Sequence, residues 1–368
     1  MSEQMREFDI KLKRVRGLLE REKLYGIYIK RQDNFAWLTC GRINYVAIGD
    51  MGNCGLLVTR EALYAITNNI EARRMKEEEQ LEELGFEMRA GVWYDNHFEA
   101  DTIREICGDR PVARDFGPEG QNIAGKLQQQ RFSLTDEEIQ RYLEGGAIVS
   151  RLVEETAATV RPGETEWSVT ARLAERAKCE GLEALSLFCG SDERISRYRH
   201  AIATDHIIRE RVQMGGNMRY KGLVICLTRY VNFVPVSEKL RKQYYDNVMI
   251  DCTMIGETIV GESYQRPFLA GKKVYEELGY ADEFQKHHQG GPIGYVPRDY
   301  RIDFSHQGTI PKNQAFCWNP SITGTKSEDT IIVTEDGPVF VTRPYLYPRF
   351  EVKVGNRSYV RTEILEKY

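Results

Sequence analysis

The sequence predicts a two-domain α+β chain, and three observations carry that expectation. Up to about residue 131, helix-period stretches alternate with short apolar runs of strand length. From residue 132 onward the helical stretches lengthen, and a capping box opens the first of them. Two regions of that second part, 133–183 and 237–280, each read as a helix pair joined by a short turn, so the C-terminal domain carries an internal recurrence. The expected domains are a smaller α/β unit over 1–131 and a larger one over 132–368. With 368 residues the chain can build two ordinary cores.

In order, Phe8 to Glu22 has apolar residues at helical spacing, and LYGIYI (24–29) reads as a buried strand. FAWLTCG (35–41), CGLLVT (54–59) and ALYAITN (62–68) read as short β runs between polar or glycine-bearing turns. The charged stretch EARRMKEEEQLEELG (71–85) predicts one solvated amphipathic helix stopped at Gly85. A strand in PVARDF (111–116) and a helix in GQNIAGKLQQQ (120–130) complete the first domain.

The second domain opens at SLTDEEIQ, where Thr135 and Glu138 can satisfy each other's helix-start amides. Val160-Arg161-Pro162-Gly163 stops that helix, and Thr165 is placed to cap the next. The later helix pair turns near Gly256.

Composition narrows the function. Hydrophobic residues make up 41% and charged residues 29%, a globular balance. A net charge of −4, with Lys and Arg spread along the chain, argues against a nucleic-acid binder. The start MSEQMREFDIKLKRV lacks a secretory apolar core, and no window approaches the roughly 18 apolar residues of a membrane span. Eight cysteines fall without CxxC pairs, which predicts neither a zinc ribbon nor a disulfide framework. A cytoplasmic setting without membrane partners is the expectation.

Four phrases of the second domain carry a resemblance. GGNMRYKGLVICLTRY (215–230), HHQGGPIGY (287–295), CWNPSITG (317–324) and TKSEDTIIVT (325–334) fall in the order and spacing of the creatinase/aminopeptidase P/prolidase family, the pita-bread fold. RYRHAIATD (197–205) is similar to that family's His-x-x-x-(Thr/Ser)-Asp segment, and DNFAWLTCGR (33–42) resembles a strand of its N-terminal domain. The resemblance implies a C-terminal domain with a curved antiparallel sheet flanked by two helix pairs, preceded by a creatinase-type α/β domain.

Metal-dependent members of that family bind two divalent cations through two Asp, one His and two Glu. At those places this chain has Gly215, Cys226, Gly291, Asn319 and Glu328, and only the last is a family ligand. No Asp or Glu occurs between Arg211 and Ser237, so a slip of register would not restore the first pair. A dinuclear site needs carboxylates to neutralise its charge. The expectation is therefore no bound catalytic metal and no cofactor. A single zinc on Cys226, Glu328 and a histidine is the remaining arrangement of acceptable ligands. Two lost ligands became glycine, which predicts emptied space in which a substrate sits lower.

The resemblance also implies roles. His200 matches the general acid–base of creatinase, which works without metal, with Thr204 and Asp205 supporting the register. His200, Glu328 and His288 are the catalytic candidates, Glu328 orienting water or holding a substrate amine or amidine. Arg298, His287, Asn319, Cys226 and Gly291 are the substrate-binding candidates, with Arg298 suited to a carboxylate. Each has a structural alternative: a packed His200, a helix-end His287-His288 pair, a surface Arg298, an inert core Cys226 or Cys317. Arg229 is expected to pair with a buried acid.

The leading expectation is a metal-independent hydrolase cleaving a C–N or related bond in a small amino-acid-like or guanidino substrate. The alternatives are a catalytically silent ligand-binding protein, an Xaa-Pro metallopeptidase, and a lyase on the same scaffold. The family's habit implies a homodimer.

Overall fold

The structure, a computed structural model, describes residues 3–118 and 120–368, and the chain falls into two compact units, Met1–Glu138 and Ile139–Tyr368. The first holds a six-stranded mixed sheet of β1 (Gly26–Arg31), β2 (Met51–Thr59), β3 (Leu63–Asn68), β4 (Glu87–Gly91), β5 (Val112–Arg114) and β6 (Gln121–Asn122). Their spatial order is β4-β3-β2-β1-β5-β6. Helices α1 (Glu3–Arg21), α2 (Gln32–Leu38), α3 (Ala72–Glu77), α4 (Phe98–Cys107) and α5 (Ala124–Gln130) accompany it.

Two expectations fail in this unit. FAWLTCG is not a strand: its first four residues end helix α2, whose seven residues are all buried. A segment buried on every side carries no periodicity, so helix and strand look alike in its sequence. Its polar start is held instead by tertiary bonds, from Arg131 Nη1 to Asp33 Oδ2 at 2.7 Å and from Asn34 Nδ2 to Asp115 Oδ2 at 2.9 Å. The stretch 71–85 is likewise not one helix. It breaks after α3, turns through Gln80 at φ +50°, and resumes as a 3₁₀ turn over Leu81–Leu84. The Arg42 guanidinium donates to the Glu79 carbonyl, and Ile43 N–H to the Glu79 carboxylate at 2.9 Å, so a neighbouring loop fixes the break.

The capping box forms as read. Thr135 N–H donates to Glu138 Oε2 at 2.8 Å and Glu138 N–H to Thr135 Oγ1 at 3.2 Å, opening the long helix α6 (Asp136–Thr159). Thr165 caps α7 (Glu166–Cys179) by accepting from Ser168 N–H.

The second unit is built on strands β7 (Glu183–Ser191), β8 (Arg211–Tyr220), β9 (Leu223–Asn232), β10 (Gly290–Ile293), β11 (Gln314–Trp318) and β14 (Asp329–Thr334). Between β11 and β14 lies the small hairpin β12 (Ser321–Ile322) and β13 (Thr325–Lys326). The spatial order β10-β11-β14-β9-β8-β7 is antiparallel at every step. It reads symmetrically outward from the β9/β14 junction. Each triplet follows a helix pair, α6 with α7 and then α9 (Glu238–Glu257) with α10 (Gln265–Glu277); α8 (Arg194–Arg197) lies inside the first triplet, between β7 and β8, and a 3₁₀ turn over Ala281–Lys286 lies between α10 and β10. The internal recurrence read from the sequence is therefore real at the level of topology. Strand β15 (Gly337–Phe340) pairs with β14, β16 (Arg349–Val354) with β17 (Arg357–Thr362), and β18 (Leu365–Glu366) runs parallel to β9.

Helix α9 brings Val248, Ile250 and Met254 into a cluster with Phe316, Trp318, Ile331 and Val333 of the central strands. Arg229 is fully buried and bonds Glu154 of α6 at 2.9 Å and Asp329 at 3.0 Å, as its sequence context predicts. Among the described residues no helix is long and apolar enough to cross a membrane.

Candidate functional site

Three imidazoles converge in the second unit. His200 sits in the loop after α8, and His287 and His288 follow a 3₁₀ turn over Ala281–Lys286. His200 Nε2 lies 3.2 Å from His287 Nε2. Ring centroids are 4.9 Å apart for His200 and His287, 5.8 Å for His200 and His288, and 4.5 Å for His287 and His288.

Specific bonds hold the two loops together. Buried Glu166, at the start of α7, takes Ser191 N–H at 2.7 Å on one oxygen and Thr204 N–H at 3.0 Å on the other, pinning the end of β7 to the His200 loop. Arg199 donates to Glu283 at 2.5 Å, to Thr323 Oγ1 at 2.9 Å and to Ser321 Oγ at 3.3 Å, tying His200's neighbour to the turn before His287. Ser321 Oγ also lies 3.1 Å from His287 Nδ1. His200 itself is exposed, its ring stacked on Phe188 of β7 at 5.5 Å. The packed-core alternative for His200 is thus not what the fold does.

The surroundings of the imidazoles are cationic. Burial pushes the His287 pKa down, and Lys326, the other two histidines and Arg199 push it further, to about 2. Burial, then Arg298 and Arg301, bring His288 to about 3. Burial and Lys326 lower His200 as well, with Glu328 opposing them. All three rings are neutral at pH 7.

Lys326 is the residue that motif reading missed. Its side chain is buried, and its ammonium lies 2.7 Å from Glu328 Oε2. Glu328 also accepts from Thr228 Oγ1 at 2.6 Å and from Cys317 Sγ at 3.6 Å. Burial pushes this carboxyl up, but the Lys326 ammonium and the Thr228 hydroxyl outweigh it and hold it below the usual carboxylate range. Glu328, the one position that the resemblance matches to a ligand, is paired with a cation of the chain itself. A signal was present: two residues apart on an extended segment, Lys326 and Glu328 share a face. Phe188, Ser321, Arg199 and Arg301 had no motif to mark them.

The remaining candidates fall as follows. Arg298 Nη1 donates to the carbonyls of Gly291 at 2.7 Å and Cys317 at 2.6 Å, so one of its nitrogens braces the loop while its charge acts on His288. Asn319 is buried, and its Oδ1 finds no partner. Cys226 and Cys317 are fully buried, and desolvation drives the Cys317 thiol well above its ordinary pKa, so no nucleophile is formed there.

At Gly215 and Gly291 the absent side chain does not leave room for a Cβ, which corrects the expectation of emptied space at these two positions. A Cβ on Gly215 (φ +153°) would stand 2.1 Å from the Leu227 carbonyl oxygen, and one on Gly291 (φ +148°) would stand 2.7 Å from that of Tyr300. Backbone of a neighbouring segment stands at each place, and only glycine adopts these angles without strain. Cys226, Asn319 and Glu328 are themselves buried.

The chain superposes on an Xaa-Pro dipeptidase from Bacillus anthracis with a TM-score of 0.75 and 19% identity, covering 97% of this chain and 99% of that one. A recombinant prolidase from Thermococcus sibiricus gives 0.77 and 17%, covering 100% and 99%. This chain has the pita-bread fold. The N-terminal domain of the FACT complex subunit SPT16 from chickpea, Cicer arietinum, gives 0.70 and 13%, covering 93% and 97%. No protein-family model and no curated protein matches the sequence. The pita-bread architecture predicted from four short phrases is thus present over nearly the whole chain.

Proposed function

We propose that this pita-bread chain is a hydrolase of the peptidase type that works without the family's dinuclear centre. It would cleave a C–N bond in a small amino-acid-like substrate carrying a carboxylate, with His200 as general acid–base. The observation that carries this reading is the cluster of three neutral imidazoles whose exposed member is His200. Its Nε2 is engaged with His287, while its Nδ1 has no hydrogen bond among the described residues. That nitrogen takes a proton from water as the water adds to the scissile carbonyl, and returns it to the departing amine. His287, backed by Ser321, holds the ring in place.

Arg199, Arg298, Arg301 and Lys326 all act on the cluster. Glu283 and Glu328 neutralise Arg199 and Lys326, so it is Arg298 and Arg301 that support a carboxylate-bearing molecule over a guanidino cation. Glu328 serves as counter-ion to Lys326 rather than as a partner for a substrate amine.

The test is a mass-spectrometric screen of dipeptides, N-acyl amino acids and guanidino acids in the presence of a chelator. Turnover should persist under chelation. His200→Ala should lower it by about a hundred- to ten-thousand-fold with an unchanged melting temperature. Full activity in His200→Ala, or activity that appears only with added manganese or cobalt, would refute the proposal. A ligand bound by the wild type but never turned over would make the protein a binder.

A further inference from the structure

We infer that His200, His287 and His288 form a mononuclear site for a borderline divalent ion of the zinc or copper class. Its occupation would silence His200 as a base. The second clause rests on the function proposed above; the site itself does not. One ligand nitrogen from each histidine lies within 4.8 Å of the others. The closest two are 3.2 Å apart. Around a tetrahedral zinc with Zn–N of about 2.0–2.1 Å, two ligand nitrogens stand about 3.3–3.4 Å apart. The His200–His287 pair is already close to this separation, and the His288 nitrogen lies within 4.8 Å of both.

A second observation points the same way. His288 Nδ1 is buried and has no hydrogen-bond partner. An unpaired buried ring nitrogen is costly unless something fills its coordination. His287 has the supporting bond typical of a ligating histidine, with Ser321 Oγ 3.1 Å from its Nδ1, which leaves Nε2 free to coordinate.

The donor set selects the ion. Three neutral imidazoles without a carboxylate suit zinc, copper, nickel or cobalt and do not suit magnesium, calcium or manganese. This is not the carboxylate-rich pair of ions implied by the family resemblance: it uses different residues and binds one ion. The cations Lys326, Arg298 and Arg301 nearby oppose a dication. The fourth coordination position is therefore suited to an anion, so metal and anion should bind cooperatively.

The consequence for His200 follows from its two nitrogens. With Nε2 on the ion, the neutral ring carries its remaining hydrogen on Nδ1, and no lone pair is left to accept a proton. No bond breaks and no redox step occurs; only the tautomer is fixed.

The experiment is a cobalt(II) titration of the chelator-stripped full-length protein at pH 7.5, read by the visible d–d absorption of tetrahedral cobalt, with zinc as competitor. The expected result is one ion per chain, displaced by zinc, with affinity rising on addition of acetate. His287→Ala and His288→Ala should each weaken binding by at least about a hundredfold, more than the loss of a supporting bond would. Circular dichroism confirms that the variants fold, and His200→Asn gives a third, surface variant that keeps the fold. Absence of a stoichiometric site, or binding unchanged in these variants, overturns the inference. The spectrum needs no substrate, so failure of the proposed hydrolase leaves this result readable. Turnover that rises with zinc would overturn the inhibitory half and the metal-independent mechanism together.

Discussion

Substituting Gly215 by alanine should cost far more than one methyl group suggests. Residue 215 lies on β8 opposite Thr228 of β9, in a ladder that runs from Arg211–Asn232 to Tyr220–Leu223. The added Cβ would stand 2.1 Å from the Leu227 carbonyl oxygen and 3.0 Å from Thr228 Cα. Both obstacles are backbone in a fully buried strand, so neither can rotate away. Relief needs about an ångström of strand displacement. Overpacking of this kind costs about 1–3 kcal/mol. Holding an L-residue near φ +153° adds about 1–3 kcal/mol. The total, roughly 2–6 kcal/mol, is a large share of a typical stability of about 5–15 kcal/mol. At about 2–4 °C per kcal/mol for a unit of this size, the melting temperature should fall by roughly 5–20 °C. Gly215→Asp, which restores a family ligand in name, should do worse and bind no manganese. Urea denaturation followed by circular dichroism measures the loss. Gly125→Ala is the internal control, because a Cβ there meets nothing within 4 Å, and it should be neutral or slightly stabilising. A Gly215→Ala protein within half a kcal/mol of wild type would refute the closed-strand argument.

Two further outcomes follow from the buried charges and the histidines. Lys326→Met strands the Glu328 carboxylate without its cation and should destabilise by about 3–5 kcal/mol, whereas Lys326→Met with Glu328→Gln should recover most of that; a double-variant loss equal to the sum of the two single losses would show that the pair is not coupled. His287 and His288 titrate near 6.5 when unfolded but near 2 and 3 when folded, so the folded state favours their neutral forms. Their contribution is complete above pH 6.5 and declines as pH falls below it, by about 2 kcal/mol for each histidine at pH 5. Denaturation at pH 7.5 and 5.0 reads this, and His287→Asn with His288→Asn should flatten the dependence; an unchanged slope in that double variant would reject the assignment.

Local chemistry in the sequence determined much of the architecture. The capping box of Thr135 and Glu138, the Thr165 cap and the repeated helix pairs act within a few residues, and all formed as read. The phrases that carry the family resemblance were legible too, because they are contiguous and a single Gly-x-x-x-x-x-Thr-Arg stretch, Gly222 to Arg229, anchors their register. What the vacated positions became was not legible. Glycine in a sequence reads as missing volume, yet at Gly215 and Gly291 a neighbouring backbone fills it, and only the packed sheet decides that. FAWLTCG was misread for a related reason: complete burial erases the periodicity by which helix and strand are told apart. The Lys326–Glu328 pair lay within three residues of sequence, but its meaning depended on Thr228, Cys317 and the imidazoles of two other loops arriving around it. The sequence alone thus determined the locally encoded caps, the repeated helix pairs and the pita-bread resemblance. Tertiary structure alone decided that backbone stands where side chains at Gly215 and Gly291 would begin, that Lys326 pairs with Glu328, and that three histidines meet where no single motif could place them.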